Sequence, residues 1–371
     1  MYLLIKTDIK LNGKRKVLSY IAFIKFVAMI KIIKWHIFNW DKKPIDYGAR
    51  MCEILFISSG FLVGYNHFQR EMLCDYETSF KYAYKHLRTF YPLEFLNTIY
   101  GYLFIAEKQY NLTEFEILLS NFLMIKSWSR YSELASCFNG ISWFLSALLF
   151  CYFLVPLLLK GIKTIKLSLI LFFCISIIRI TIEEIIFKGA LNMFDAHFHR
   201  GPIIRLLEFY MGMLLIPTFF FLKHYLEVYN NKYSLKIIYT FIQISFPIII
   251  YYIMLKYNNI LYRCYFVLIF CFSIFIIAYD YGFFSDIFAK KLCVTIMNCQ
   301  MEMYLIQITI NNIIFKIEKQ IKIKFAFNEE TQFLLKLLVI FFFGYLYKKF
   351  LKEKLAFFLD RKILFIKKLI L

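Results

Sequence analysis

The stretch VLSYIAFIKFVAMIKIIKWHI, residues 17–37, decides the fold class. It has the length a helix needs to cross a bilayer, about 20 residues rising about 1.5 Å each. Yet it carries Lys25, Lys31, Lys34 and His36. Lys25 and His36 are eleven residues apart, which is about three helical turns. Both therefore project from one face, roughly 16 Å apart along the axis. Ionisable groups inside a bilayer are costly, and those that persist are functional candidates. A satisfied interior histidine beside a lysine that snorkels to the interface would leave the same pattern. Lys31 and Lys34 lie on other faces of the helix, and Lys34 is placed to reach the interface.

The rest of the chain has the same character. Of 371 residues 61% are hydrophobic and 21% aromatic, with mean hydropathy +0.61, well above a soluble domain. Apolar windows fall at 17–37, 52–65, 89–106, 141–159, 167–187, 203–222, 235–255, 260–279, 292–315 and 333–347. The expected fold is an all-α polytopic membrane protein with about ten transmembrane helices. The second window is short, so it is expected to be tilted, extended by polar flanks or partly re-entrant. Residues 113–125 alternate in a helical manner and are expected along the interface.

The net charge of +20 comes from lysines in short connectors and the tail rather than from one soluble face, which disfavours nucleic acid as a partner. Most of this basic charge falls on residues 1–16, on the connectors after windows two, four, six and eight, and on the tail. That places both termini in the cytoplasm, N-in and C-in. Residues 1–371 read as one membrane-embedded domain, with 1–16 a cytoplasmic N-terminus and 348–371 a basic cytoplasmic tail. Lys14-Arg15-Lys16 before an apolar run resembles a signal peptide. Lysines inside the run and the lack of a small-residue cleavage site favour a retained helix. The nine cysteines are scattered singly, so neither a disulfide framework nor a zinc site is indicated.

Several constellations have chemical potential. His36 suits a general base for a hydroxyl acceptor, and Lys25 suits an anionic substrate. Residues 53–65, EILFISSGFLVGY, place Gly60 and Gly64 on one bare face, where a helix or ligand can approach the backbone closely. Glu53 heads that run as a possible acid or the partner of a lysine. Lys85 and Arg88, one turn apart before Tyr91-Pro92, could converge on a phosphate; topology anchoring would also explain them. Arg179 and Glu183 are spaced for an ion pair that serves packing, while Arg205 and Glu208 are candidates to line a polar cavity. Asp195-x-His197-x-His199 has metal-capable side chains, but without a fourth ligand it reads as a solvated loop.

In order along the chain, these landmarks resemble the acyltransferase-3 family of integral-membrane O-acyltransferases. Lys25-x10-His36 is similar to its first-helix Arg-x10-His motif, and residues 53–65 are similar to its EFFFILSGFL run. Lys85-x-x-Arg88 before Tyr91-Pro92 resembles its Arg-x-x-Arg-x-x-x-Pro segment. Asn139 to Ser146, with Trp143, Tyr152 and Pro156, resembles its WFLS helix, and Arg205-Leu-Leu-Glu208-Phe209 to Gly212-Met213 its R..EF..GM helix. Met303 to Gln307 falls where many members read YLIH. Three departures stand out. Lysine replaces arginine at 25 and 85, which keeps charge but loses the bidentate fork. Gln307 replaces a histidine and so receives no proton-transfer role. Ala147 and Leu148 stand where some branches carry a glutamate.

The resemblance implies transfer of an acyl group, usually acetyl, from cytoplasmic acyl-CoA to a hydroxyl of a cell-envelope sugar, polysaccharide or lipid-linked glycan. It also implies residence in a bacterial inner membrane as a multi-pass protein, and no metal. The appended soluble domain of some members is absent, which points to direct acylation of the acceptor. In this scheme His36 and Lys25 are the catalytic pair, with His36 as base or covalent relay. Lys85 and Arg88 hold the phosphates of CoA, and the acyl arm passes the small residues Ser59 and Gly60. Glu53, Trp143, Arg205 and Glu208 meet the acceptor. Two other readings use the same features: a transporter or flippase of an anionic lipid or glycan, which would want an inverted repeat, and a non-catalytic membrane partner.

Overall fold

The computed structural model of the protein describes residues 18–38, 47–70, 72–105, 114–129, 134, 137–189, 199–229, 232–256, 265–321 and 328–370. Among them every regular element is helical. The first half runs α1 (Ser19–Phe38), α2 (Tyr47–His67), α3 (Tyr76–Leu87), α4 (Tyr91–Ile105), α5 (Glu114–Phe122), α6 (Trp143–Leu158) and α7 (Ile165–Gly189). The second half runs α8 (Pro202–Leu214), α9 (Ile216–Tyr229), α10 (Lys232–Lys256), α11 (Phe266–Ile277), α12 (Phe283–Phe288), α13 (Lys291–Met297), α14 (Gln300–Ile321), α15 (Glu329–Leu346) and α16 (Lys352–Ile370).

Four helical segments are long and apolar enough to cross a membrane by length and composition: Gly140–Ile162, Ile165–Ile185, Pro202–Glu227 and Tyr233–Met254. The second and fourth expose Ile170, Phe173, Ile177, Phe241 and Ile248 on their outer faces, the surface lipid would cover. The first and third are mostly buried inside the bundle.

The short second window proves to be a full helix, and the reason is chemical. α2 spans 21 residues, and Arg50 and Glu53 in its first turns cut the hydropathy window although both are buried and pair with each other at 2.6 Å. Its centre crosses α8 at backbone contact. A Cβ on Gly60 would run into the carbonyl of Phe209, and one on Gly212 into that of Ile57. The two glycines thus serve one crossing from opposite sides. Around it Phe56, Phe61, Phe209 and Phe219 are sealed in the core.

Residues 114–129, which take in most of the segment expected along the interface, pack onto the bundle. α5 packs on α4, where Phe95 and Phe122 lie 5.3 Å apart. The chain then turns inward: Lys126 is buried and donates to the carbonyls of Cys137 and Asn139 at 2.8 and 3.0 Å. Asn139 in turn donates to Glu94 at 2.7 Å. α3 packs on α6 and is amphipathic. Asp75 caps it by accepting from the Thr78 N–H at 2.6 Å, and that bond holds its carboxyl below the usual range.

Candidate active site

α1 delivers Lys25 and His36 to different partners. Lys25 Nζ donates to Ser59 Oγ of α2 at 3.1 Å. His36 Nδ1 lies 3.2 Å from Gln307 Oε1 of α14. Gln307 Nε2 donates to the Tyr304 carbonyl at 3.0 Å, which fixes the amide so that Oε1 faces the imidazole. An amide oxygen only accepts, so His36 carries its proton on Nδ1 and its lone pair on Nε2. That is the tautomer a general base or a nucleophile needs. Gln307, which sequence reasoning passed over, is the residue that orients His36.

The remaining lysines of α1 point elsewhere. Lys34 pairs with Glu330 at 2.6 Å, and Lys31 is exposed with its ammonium 5.3 Å from the Tyr251 ring.

α2, α7 and α8 build a ladder of alternating charge. Arg50 bonds Glu53 and Glu183 at 2.6 and 2.9 Å. Arg179 bonds Glu183 at 2.8 Å and Glu208 at 2.9 Å, with Glu53 at 3.5 Å. Arg205 closes the row on Glu208 at 2.5 Å. Three arginines face three glutamates, and all six are buried. A buried charge persists only when matched, and here each carboxylate stands between two guanidiniums. Glu53, Arg205 and Glu208, expected to meet the acceptor, each pair within this ladder, Glu53 with Arg50 and Arg179 and Arg205 with Glu208. Glu53 pairs with arginines rather than with a lysine. Arg179 and Glu183 belong to the same ladder.

Arg205 also reaches toward the expected substrate side. Its guanidinium lies 5.6 Å from the Phe56 ring and 5.8 Å from that of Trp143. It donates to the His199 carbonyl at 2.7 Å and lies 3.1 Å from His199 Nδ1. Trp143 is buried and stacks at a tilt on His199, centroids 4.8 Å apart. His199 was expected in a solvated loop; it is instead folded into this site. Asp195 and His197 lie outside the described residues. Among the described residues no group of three or more His, Cys, Asp or Glu could hold a metal.

Lys85 and Arg88 separate in role. Lys85 is exposed. Arg88 forms an ion pair with Asp360 of α16, which also accepts from the Tyr84 hydroxyl at 2.7 Å. Sequence reasoning had no means to find Asp360, which lies 272 residues away. The space beside Gly60 is filled by the Phe209 backbone, so that residue serves the α2–α8 crossing and leaves no passage for an acyl arm on its side.

Neither the curated proteins nor the solved structures yielded a match to this chain. A family model described as an acyltransferase domain matches residues 18–347. That range runs from the start of α1 to the end of α15 and takes in His36, Gln307 and the whole charge ladder. The chain therefore belongs to the acyltransferase-3 family and is a membrane acyltransferase by kind.

Proposed function

We propose that this protein is an O-acyltransferase of the bacterial inner membrane, with about ten spans and both termini in the cytoplasm. It moves an acetyl group from acetyl-CoA to a hydroxyl of a cell-envelope sugar, polysaccharide or lipid-linked glycan. The observation that carries this reading is the His36–Gln307 pair, in which an amide held by the Tyr304 carbonyl orients the imidazole inside the bundle of a chain from an acyltransferase family.

In this mechanism the acceptor hydroxyl gives its proton to His36 Nε2, and its oxygen attacks the thioester carbonyl carbon. The carbon–sulfur bond then breaks, and the leaving thiolate takes the proton back from His36. Lys85 meets the phosphates of the donor, and Arg88 joins it by exchanging Asp360 for phosphate. Lys25, anchored on Ser59, supplies positive charge along the path of the acyl arm. The charge ladder holds α2, α7 and α8 in register around the acceptor site.

His36→Ala should abolish acylation while the protein still inserts and accumulates in the membrane. The check is mass spectrometry of envelope glycans from cells making the wild type, the variant or neither. Undiminished acetylation with His36→Ala would remove His36 from the mechanism. The same spectra identify the acyl group and the acceptor.

A further inference from the structure

His199 has features that neither a loop residue nor a metal ligand would show. It sits just before α8, half-buried, with its ring against Trp143 and its Nδ1 facing the Arg205 guanidinium. Arginine has five N–H donors, no acceptor, and does not deprotonate in proteins. Nδ1 must therefore accept, and the imidazole proton sits on Nε2. A guanidinium on Nδ1 also occupies one ligand nitrogen and repels a cation, which removes the metal reading. Burial, and then the charges of Arg205, Arg200 and Arg50, hold His199 well below the usual histidine range, so it is neutral at cellular pH.

A chain of contacts joins His36 to His199. From His36 the contacts run to Gln307, to the Tyr304 carbonyl, and from the Tyr304 hydroxyl to the Ile141 carbonyl at 3.1 Å. Two residues on is Trp143, whose ring carries His199. The two imidazoles are thus held in opposite tautomers. His36 presents a lone pair at Nε2, and His199 presents an N–H at Nε2.

We infer that His199 is a second catalytic residue, whose Nε2–H donates to the carbonyl oxygen of the acyl group as that oxygen takes up negative charge. The inference rests on the acyl-transfer reading and adds to it the electrophilic half. When the acceptor oxygen bonds to the carbonyl carbon, the π pair moves onto the carbonyl oxygen, which accepts from His199 Nε2–H. When the carbon–sulfur bond breaks, the pair returns to re-form the carbonyl, and the bond to His199 weakens. His199 keeps its proton throughout; His36 alone gains and loses one. A fixed donor aimed at developing charge in a dry site lowers the barrier because it needs no reorganisation.

The test uses the full-length protein in lipid nanodiscs with acetyl-CoA as the probe. Release of free thiol is followed with water or co-purified glycan as acceptor, and acetyl-CoA binding is measured separately. His199→Ala should slow thiol release about 100-fold, the usual loss for one oxyanion donor, with acetyl-CoA binding unchanged. His199→Gln, whose amide N–H reaches to the same place, should recover part of that rate. The inference is overturned if His199→Ala keeps the wild-type rate, if Gln is no better than Ala, or if His199→Ala loses acetyl-CoA binding. An active wild type, an inert His36→Ala and an active His199→Ala would remove this inference alone. A folded wild type inert toward acetyl-CoA would remove the acyl-transfer reading and this inference with it.

Discussion

At the scale of single residues, the chemistry turns on which nitrogen of an imidazole holds the proton. Gln307 settles that for His36, because its amide is pinned by the Tyr304 carbonyl and can only accept from the ring. Gln307→Leu should leave the fold intact, since leucine fills a similar volume. It should lower kcat about 10- to 100-fold through loss of orientation at the base, with KM for acyl-CoA unchanged. Steady-state kinetics decide the matter, and an unchanged kcat would mean that His36 is oriented by something else. Gln307→His, which supplies the residue common in the family, should keep more activity than leucine because a ring nitrogen can still accept. The sequence pointed to His36 through the cost of an ionisable group in an apolar helix. It pointed away from Gln307, because a departure from a family motif reads as a loss. The partner that restores meaning to that departure is 271 residues distant, and periodicity carries no information over such a separation.

At the scale of elements, two helix pairs set the frame. The α2–α8 crossing depends on Gly60 and Gly212 facing one another's neighbours at backbone distance. Gly60→Ala should separate the helices, with a cost of about 1–3 kcal/mol or more, because the obstacle is backbone and cannot swing aside. Thermal unfolding in detergent, followed by size-exclusion chromatography, should show a lower midpoint for Gly60→Ala and for Gly212→Ala alone. Once one has opened the crossing, the two together should cost less than their sum. The second pair is α3 on α6, where His86 stacks on Tyr152 at 4.3 Å and tilts on Tyr82 at 4.8 Å. Burial, and then Lys85, push the His86 imidazole down from 6.5 to about 4. Its folded value is below its unfolded one, so between those values the unfolded chain binds more protons. Stability from this site therefore falls as pH drops from about 6.5 toward 4 and is level below that. His86→Gln should flatten the fall in midpoint across that window; an equal slope in both proteins would assign it to other groups. The glycines of α2 were legible as a bare helix face, but whether a ligand or a helix fills such a face depends on the partner. The helix of α3 was not legible as a docked element, since its burial comes from aromatic contacts with a segment over sixty residues on.

At the scale of the whole molecule, charge organises the assembly from both sides. Inside, three arginines and three glutamates join α2, α7 and α8 with their charges balanced. Hydropathy alone hides such a ladder, because each charge shortens the window it falls in. At the edge, Asp360 of the basic tail segment clasps Arg88, which opens the way into α4. The two side chains are 35% and 26% exposed, so water already weakens the pair, which is worth about 0.2–1 kcal/mol by analogy with other such sites. If the donor phosphates take Arg88, they must first displace Asp360, and that competition appears in the apparent affinity. Asp360→Asn keeps the shape and removes the competing charge, so KM for acyl-CoA should fall about two- to fivefold with kcat unchanged. Arg88→Ala should raise KM instead. In the Arg88→Ala background the Asp360→Asn change should have no further effect, because the interaction it relieves is already gone. Kinetics over the four proteins of this cycle read the coupling directly. If Asp360→Asn raises KM, or lowers only the unfolding midpoint, Arg88 anchors α16 and the phosphates of the donor are held by Lys85 without it.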